Sequence, residues 1–226
     1  FSINAVEDVV ALDCYPRDAI AILLVEVDGS PAEVAASCDL ITHICQHNGA
    51  RSLVSATDPD DRLRLWKGRK AAFAAMGKLS PDYYVQDGVI PRTQLPYVLK
   101  EIEALGEQHG YRVANVFHAG DGNLHPLILY NNAIPDQLEA VEALGGDILK
   151  LCVAVGGSIS GEHGIGADKR CYMPNMFSPA DLDTMQWVRQ AFNPHGLANP
   201  TKIFPTPKTC GEAAMGNVNS PEIPRF

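Results

Sequence analysis

The sequence predicts an α+β fold: an antiparallel, ferredoxin-like sheet covered by helices, with a helical and irregular arm at the C-terminal end. Three observations favour this fold class. Apolar, β-rich runs alternate with helical patterns along the 226 residues. An Asp-Gly pair at 121–122 separates two apolar runs, which is typical of a hairpin. No GxGxxG motif follows a predicted strand, so a doubly wound nucleotide-binding sheet is disfavoured.

The first elements are expected to alternate between strand and helix. Residues 19–27 (AIAILLVEV) are predicted to form a buried strand, and residues 31–48 a helix closed by a glycine. Residues 51–56 alternate as a short strand. A helix follows as far as about residue 78, with Asp58 as its N-cap and a proline in its first turn.

The later elements supply the hairpin and the longest helix. Three further strands are predicted, over residues 83–90, 111–118 and 124–130. Three further helices are predicted, over residues 91–110, 135–155 and 178–192. Ser178 is expected to cap the last of these helices.

Charge and hydropathy exclude two classes of protein. The net charge is −9, from 18 Lys and Arg against 27 Asp and Glu, and no basic stripe is present, so we expect no nucleic-acid partner. The longest apolar run, residues 19–25, is too short to span a bilayer, so we expect no transmembrane segment. Six cysteines without a CxxC pair are typical of reduced thiols in a cytoplasmic protein.

Two histidines flank the predicted hairpin turn in the stretch FHAGDGNLHP. If Asp121 and Gly122 are the two turn residues, His118 and His125 lie directly opposite each other on one face of the sheet. Both imidazoles then reach one metal ion at normal ligand distances. Taken alone, a hydrogen-bonded histidine pair on a half-exposed sheet is the simpler interpretation.

A glycine-rich stretch, SGEHGIG, adds a carboxylate and a third imidazole. Side chains of adjacent residues in an extended segment point to opposite sides. Glu162 can therefore join the two histidines as a third ligand while His163 faces a substrate as a general base. Two histidines and one carboxylate with an open position are typical of a catalytic metal site. An ordinary solvated glycine turn is the alternative.

The stretch WKGRK carries three cations in five residues. A guanidinium grips a carboxylate through two parallel hydrogen bonds, so Arg69 is the candidate for binding an acidic substrate. Phe73 lies one helical turn further along the same face and can line an apolar pocket wall. A solvated helix face is the alternative for this stretch.

Several stretches together resemble the C-terminal half of the FAD-linked 2-hydroxyacid oxidases and dehydrogenases. The similarity covers roughly residues 5–205, with the bacterial glycolate oxidases most similar and the D-lactate and D-2-hydroxyglutarate dehydrogenases more distant. It is carried by HAGDGNLHP (118–126), GEHGIG (161–166), WKGRKAAF (66–73), PDYYVQDGVIPRTQLP (81–96) and LANPTKIFP (197–205).

The resemblance implies a role for each candidate residue. A divalent metal, namely Zn, Mn or Fe, would be held by His118, His125 and Glu162. His163 would take the proton of the α-hydroxyl group, and Arg69 would bind the substrate carboxylate. Hydride would pass from the substrate to the flavin.

The resemblance also bears on the substrate. Some relatives place a Thr where this chain has Phe73 and a Lys where it has Val85. Those relatives use the polar groups to bind a second carboxylate. We therefore expect a small 2-hydroxy monocarboxylate, glycolate or D-lactate, which is oxidised to the corresponding oxo acid.

The family implies an N-terminal FAD-binding domain of comparable length before this region. We therefore expect a substrate-binding cap in residues 1–175 and an arm in residues 176–226 that packs on that domain, with Asn199 near the flavin. Without the FAD-binding domain the chain would be inactive. Companion subunits, one flavin-related and one iron–sulfur, are implied, with a cytoplasmic location that is at most peripheral to the inner membrane.

Two other functions fit the same residues. A metal-dependent hydrolase could use two histidines, a carboxylate and a nearby base to activate water. A non-catalytic fragment could retain the motifs and act as a binding module.

Overall fold

The computed structural model describes residues 2–10 and 15–205. The chain divides into two compact units, Phe1–Ala75 and Met76–Phe226. The division into a cap over residues 1–175 and an arm from 176 concerns packing on an FAD-binding domain, and it stays a prediction.

The first unit contains the helices α1 (Ser2–Val10), α2 (Pro31–His47) and α3 (Pro59–Met76, with its last residue in the second unit). A capping box starts α2, because the Ser30 backbone N–H donates to Glu33 Oε2 at 2.8 Å while the Ser30 hydroxyl accepts from the Glu33 N–H. Asp58 starts α3 as predicted: its Oδ1 accepts from the Asp60 N–H at 2.8 Å.

Two strands predicted in the first unit are wrong. Residues 19–27 and 51–56 run without strand pairing, although both are described by the structure. Their apolar side chains are largely in solvent, with Ile20 fully exposed and Val54 71% exposed. A β-rich composition favours extended backbone, but a strand also needs a partner for its N–H and C=O groups, and the local sequence does not supply one.

The second unit is built on an antiparallel sheet in which one long strand is central. Its strands are β1 (Asp82–Val85), β2 (Gly88–Val89), β3 (Val113–His118) and β4 (Asn123–Tyr130). β3 pairs along one edge of β4, while β1 and β2 share the other edge. The strand predicted over residues 83–90 is therefore split in two, interrupted at Gln86 and Asp87.

The helices of the second unit agree with the sequence prediction, and strong local signals mark the end of one and the start of another. They are α4 (Leu95–His109), α5 (Gln137–Ala154) and α6 (Pro179–Phe192), with 3₁₀ turns at Arg92–Gln94 and Arg170–Asn175. Gly110 ends α4 in the left-handed conformation, with φ of 77°. Ser178 and Asp181 form a capping box at the start of α6.

One face of the sheet packs against α4 and α5. Leu124 and Ile128 of β4 share a buried cluster with Val98 and Ile102 of α4 and Ile148 of α5. A second cluster joins the far end of α5 to α6 through Leu149, Ile159, Met173 and Leu182. The predicted α+β class, an antiparallel sheet covered by helices, is confirmed.

Two expectations about the whole chain can be checked against the structure. Among the described residues, every helix is too short or too polar to cross a membrane. Cys38, Cys45 and Cys152 are free thiols, but Cys171 is disulfide-bonded. The expectation that all six cysteines are reduced is therefore wrong for Cys171.

Candidate active site

The hairpin that carries the two histidines has a longer turn than the sequence predicts. β3 ends at His118 and β4 begins at Asn123, and these two residues pair with each other. Four residues therefore make the connection, with Gly122 at φ of 72° and its N–H donating to the His118 carbonyl at 3.0 Å. The predicted two-residue turn, and with it the direct pairing of His118 and His125, is wrong.

The two histidines nevertheless lie on the same face. His125 pairs with Val116, two residues from His118, so the real register differs from the predicted one by an even number. Because side chains alternate along a strand, an even shift preserves the face that each residue occupies. The imidazoles are diagonal neighbours, with ring centroids 5.4 Å apart and planes at 88°.

The glycine-rich loop reaches this face by running beside β2. Val89 and Ser158 exchange two backbone hydrogen bonds of 2.9 Å, which joins the loop to the sheet edge. Gly157 is needed there, because a Cβ at this position would collide with the Val89 carbonyl oxygen. β2 pairs with β4 at Leu124, so the loop after Ser158 passes His125.

Glu162 completes a cluster with both histidines. Its Oε1 lies 2.9 Å from His125 Nε2, and one ligand atom from each of Glu162, His118 and His125 lies within 4.8 Å of the others. Two imidazole nitrogens and one carboxylate oxygen suit Zn, Mn or Fe. The His125 side chain is 4% exposed while that of Glu162 is 53% exposed, so the cluster is open on one side. The residues present fit a divalent metal with an open position.

His163 joins the cluster rather than pointing away from it. Its ring stacks on that of His125, with centroids 5.2 Å apart and planes at 10°, and its Nε2 lies 3.7 Å from Glu162 Oε1. The rule that neighbouring side chains alternate applies to extended strands, whereas these residues lie in a bend. His163 is 48% exposed, so its ring remains accessible to a small molecule.

The surroundings keep His125 in the form that can bind a metal. Burial of the ring lowers the pKa of His125. The Glu162 carboxylate opposes this change, the neighbouring His163 adds to it, and Asp87 opposes it. The net pKa is below the usual range, so the neutral imidazole, which is the ligand form, is favoured.

Sequence reasoning missed Asp87, which is the acceptor for the loop that carries Glu162 and His163. This carboxylate is fully buried, and Lys169 Nζ lies 3.1 Å from its Oδ2. Burial raises the pKa of Asp87, but hydrogen bonds from the His163 N–H and Ser160, with the Lys169 charge, outweigh it and lower the pKa to about 2. Asp87 lies in the stretch PDYYVQDGVIPRTQLP (81–96), where a polar Gln-Asp pair interrupts an apolar run.

The remaining candidates lie on other elements. Arg69 is on α3 of the first unit, half-buried like Phe73 one turn later. Asn199 follows α6 in the second unit, exposed, with φ of 44°, and its carbonyl accepts from Arg189 Nη2 at 2.6 Å. The structure thus brings together the histidines and Glu162, while the roles of Arg69 and Asn199 stay predictions.

Comparison with known proteins gives a consistent set of relatives. Over 230 aligned positions the whole chain is 49% identical to the glycolate oxidase subunit GlcD of Escherichia coli K12, of which it spans 46%. It is 31% identical over 189 residues to GlcD of Bacillus subtilis 168, with 84% of the chain and 40% of that protein aligned. It is 32% identical over 183 residues to the mitochondrial D-lactate dehydrogenase (cytochrome) 1 of Saccharomyces cerevisiae, with 78% of the chain and 31% of that protein aligned.

The chain thus spans less than half the length of these relatives. The family model that describes the C-terminal domain of FAD-linked oxidases matches residues 1–203, which is most of the chain. The resemblance seen in the motifs is confirmed, and the chain belongs to the FAD-linked oxidases as a member of their C-terminal domain family.

Proposed function

We propose that this chain is the substrate- and metal-binding part of an FAD-dependent 2-hydroxyacid dehydrogenase. The observation that carries the proposal is the cluster of His118, His125 and Glu162, with His163 stacked against it. Relatives whose names include glycolate oxidase and D-lactate dehydrogenase support this reaction class.

Each residue has a distinct task in this proposal. His118, His125 and Glu162 hold a divalent metal, and the open side of the cluster admits the substrate hydroxyl. When bound, the metal supplies a Lewis acid at the hydroxyl and FAD supplies the hydride acceptor. His163 accepts the hydroxyl proton on a ring nitrogen, and Arg69 orients the substrate through its carboxylate.

We propose a small 2-hydroxy monocarboxylate as the substrate, glycolate or D-lactate. Phe73 follows Arg69 by one helical turn on α3, and an aromatic ring there offers no partner for a second carboxylate. Val85 of β1 is likewise apolar. The names of the relatives, which include both glycolate and D-lactate, support the same pair of substrates.

The proposed enzyme needs parts beyond these residues. An FAD-binding domain joined before this region would hold most of the flavin, and Asn199 would approach the flavin from the arm. The E. coli relative is named as a subunit, which supports companion subunits, here proposed as flavin-related and iron–sulfur proteins. We propose a cytoplasmic location that is at most peripheral to the inner membrane.

A metal-dependent hydrolase would use the same three ligands, so metal content cannot distinguish it from a dehydrogenase. The relatives favour the dehydrogenase. Joined to its FAD-binding domain, the chain is expected to reduce a dye with glycolate or D-lactate, and His163→Ala is expected to lower kcat by about 100-fold or more. Near-normal turnover in that variant would refute the role of His163 as the base.

Metal content tests the site directly on the 226-residue chain. We expect about one divalent ion per chain by mass spectrometry, and loss of that ion in both His118→Ala and Glu162→Ala, because each removes one of only three protein ligands. His43→Ala is the matched control, since it removes an exposed imidazole from α2. An ion retained in both ligand variants would show that the site lies elsewhere.

A further inference from the structure

The Asp87 carboxylate collects an unusual number of hydrogen bonds from one short loop. Three consecutive backbone N–H groups donate to it, and so does one hydroxyl. The donors are Ser160 Oγ at 2.8 Å, His163 N at 2.9 Å, Gly161 N at 3.0 Å and Glu162 N at 3.2 Å. Two of these donors belong to the residues whose side chains form the proposed site.

The position of Asp87 in the sheet explains how its carboxylate accepts hydrogen bonds from the loop. Val85 pairs with Leu127 and Gly88 with Leu124, so Asp87 falls opposite His125 in the interruption between β1 and β2. The carboxylate is therefore fixed to the same strand pair that carries His125. The carboxylate thereby links the loop that carries Glu162 to the strand that carries His125.

Lys169 has a different task from the loop donors. Its Nζ donates to Asp87 Oδ2 at 3.1 Å and to the Asp87 backbone carbonyl at 3.0 Å, and the lysine is 3% exposed. A buried carboxylate needs a counter-charge, and Lys169 supplies it. The loop N–H groups need an acceptor, which the carboxylate supplies and an ammonium group cannot.

Beyond Ser158, which the Val89 hydrogen bonds join to the sheet edge, the loop is rich in glycine. It contains glycines at 161, 164 and 166, and the last two have positive φ values of 79° and 56°. Glycine loses more conformational freedom on ordering than any other residue, so such a loop needs an anchor to hold one geometry. The geometry in question places Glu162 Oε1 2.9 Å from His125 Nε2.

We propose that Asp87 is the positioning residue that holds the 160–163 loop so that Glu162 meets His125 and the metal site is complete. The inference rests on the metal site proposed above. Asp87 acts through Glu162, because its own oxygens are occupied by the loop and by Lys169. Removal of the carboxylate therefore releases the Glu162 ligand without touching either histidine.

The structure offers a matched pair of variants. Asp87→Asn and Lys169→Met each break the buried ion pair and leave one buried charge alone, so both are expected to lower stability. Only Asp87→Asn also replaces one of the two oxygens that accept from the loop N–H groups with an NH2 donor, which faces those N–H groups. A purely structural ion pair predicts equal effects of the two variants on the metal site, and a positioning role predicts unequal effects.

Cobalt is the probe, because its visible spectrum reports both affinity and ligand set. We expect Asp87→Asn to weaken Co²⁺ binding by about 10-fold or more. Its spectrum should match that of Glu162→Gln, in which the carboxylate ligand is absent. Lys169→Met should keep the wild-type spectrum and nearly the wild-type affinity. If Asp87→Asn does not fold, the double variant with Lys169→Met carries the same test, because no buried charge remains in it.

Amide hydrogen exchange of residues 161–163 in the metal-free chain separates this inference from the proposed function. Protection should fall in Asp87→Asn, where one acceptor oxygen is gone, and should be kept in Lys169→Met. If the wild type binds no Co²⁺, the metal proposal fails, and the exchange result alone decides whether Asp87 holds the loop. If the wild type binds Co²⁺ and both variants behave alike in affinity, spectrum and exchange, the positioning role is refuted.

Discussion

At the scale of single residues, His125 is the side chain whose protonation decides whether the cluster can bind a metal. It is nearly buried, whereas Glu162 and His163 beside it are about half exposed. Burial removes the water that would solvate an imidazolium ion, so the neutral ring is favoured. The two carboxylates near it, Glu162 and Asp87, act in the opposite direction but do not reverse the result.

We therefore predict that His125 in the metal-free chain titrates with a midpoint below 6.5, the usual histidine value. Since its folded pKa is lowered, its contribution to stability is present above the unfolded pKa and is lost as the pH falls. The measurement is a ring-proton titration by NMR. Glu162→Gln should lower the midpoint further, because it removes a charge that raises the pKa. A midpoint at or above 6.5 contradicts this account.

At the scale of elements, the loop that carries Glu162 packs closely against the sheet edge at Gly161, where there is no room for a side chain. A Cβ on this residue would lie 2.7 Å from both Asn123 Oδ1 and Val89 Cγ2, which is closer than side chains tolerate. The Asn123 amide oxygen is itself buried, so it has little room to move away. The loop must therefore shift if any side chain is added here.

Gly161→Ala is predicted to weaken divalent-metal binding by about 10-fold, because the shift carries Glu162 away from His125. The measurement is metal affinity by competition with a coloured chelator. Gly120→Ala is the control, since a Cβ there meets nothing within 4 Å although the residue lies beside His118 in the hairpin connection. Equal affinities in the two variants would mean that the loop can move without loss of the site.

The elements also show what the sequence can and cannot predict. Helices α2 to α6 were predicted because their apolar periodicity and signals such as the Ser30–Glu33 and Ser178–Asp181 boxes lie in the local sequence, whereas α1 was not predicted. The strand predicted over residues 19–27 is wrong because strand formation depends on a pairing partner elsewhere in the chain, and an apolar run alone does not identify that partner. Local signals therefore predict helices but do not determine which strands pair.

The members of the cluster were predictable from the sequence, whereas the groups that support it were not. Three residues with metal-ligand chemistry stand out in the two motifs, and the structure gathers all three. The hairpin register was wrong by an even number of residues, so the histidines kept their shared face. Asp87 was missed because its partners Ser160 and Lys169 are 73 and 82 residues away, a relation that no local pattern contains.

At the scale of the whole molecule, the C-terminal arm carries apolar side chains that face solvent. They are Trp187 at 67% exposure, Val188 at 58%, Phe192 at 88% and Leu197 at 82%. Scattered exposed apolar residues are ordinary, but a group of large ones within eleven positions is typical of a surface that binds another protein part. The proposed occupant is the FAD-binding domain, because Asn199, the flavin-facing candidate, follows two residues after Leu197.

These exposed side chains give a prediction that distinguishes packing against the FAD-binding domain from folding of the chain itself. In the 226-residue chain, Trp187→Ser with Phe192→Ser should leave the unfolding temperature nearly unchanged, because both side chains are already in solvent. In a protein that joins the chain to its FAD-binding domain, the same pair should weaken packing by about 3–6 kcal/mol, the value of burying two large apolar side chains. Gln190→Ser, an exposed polar position on the same helix, is the control and should alter neither protein.

The readout is flavin release on heating, followed by the rise in flavin fluorescence, and the unfolding temperature is measured in parallel. If the arm packs beside the flavin as proposed, loosened packing exposes the flavin, and the paired serine variant should release it at lower temperature than the control. If both variants retain flavin equally, the exposed face of α6 does not touch the FAD-binding domain. If the serine pair instead destabilises the isolated chain, these side chains serve its own core, and the arm is part of the cap.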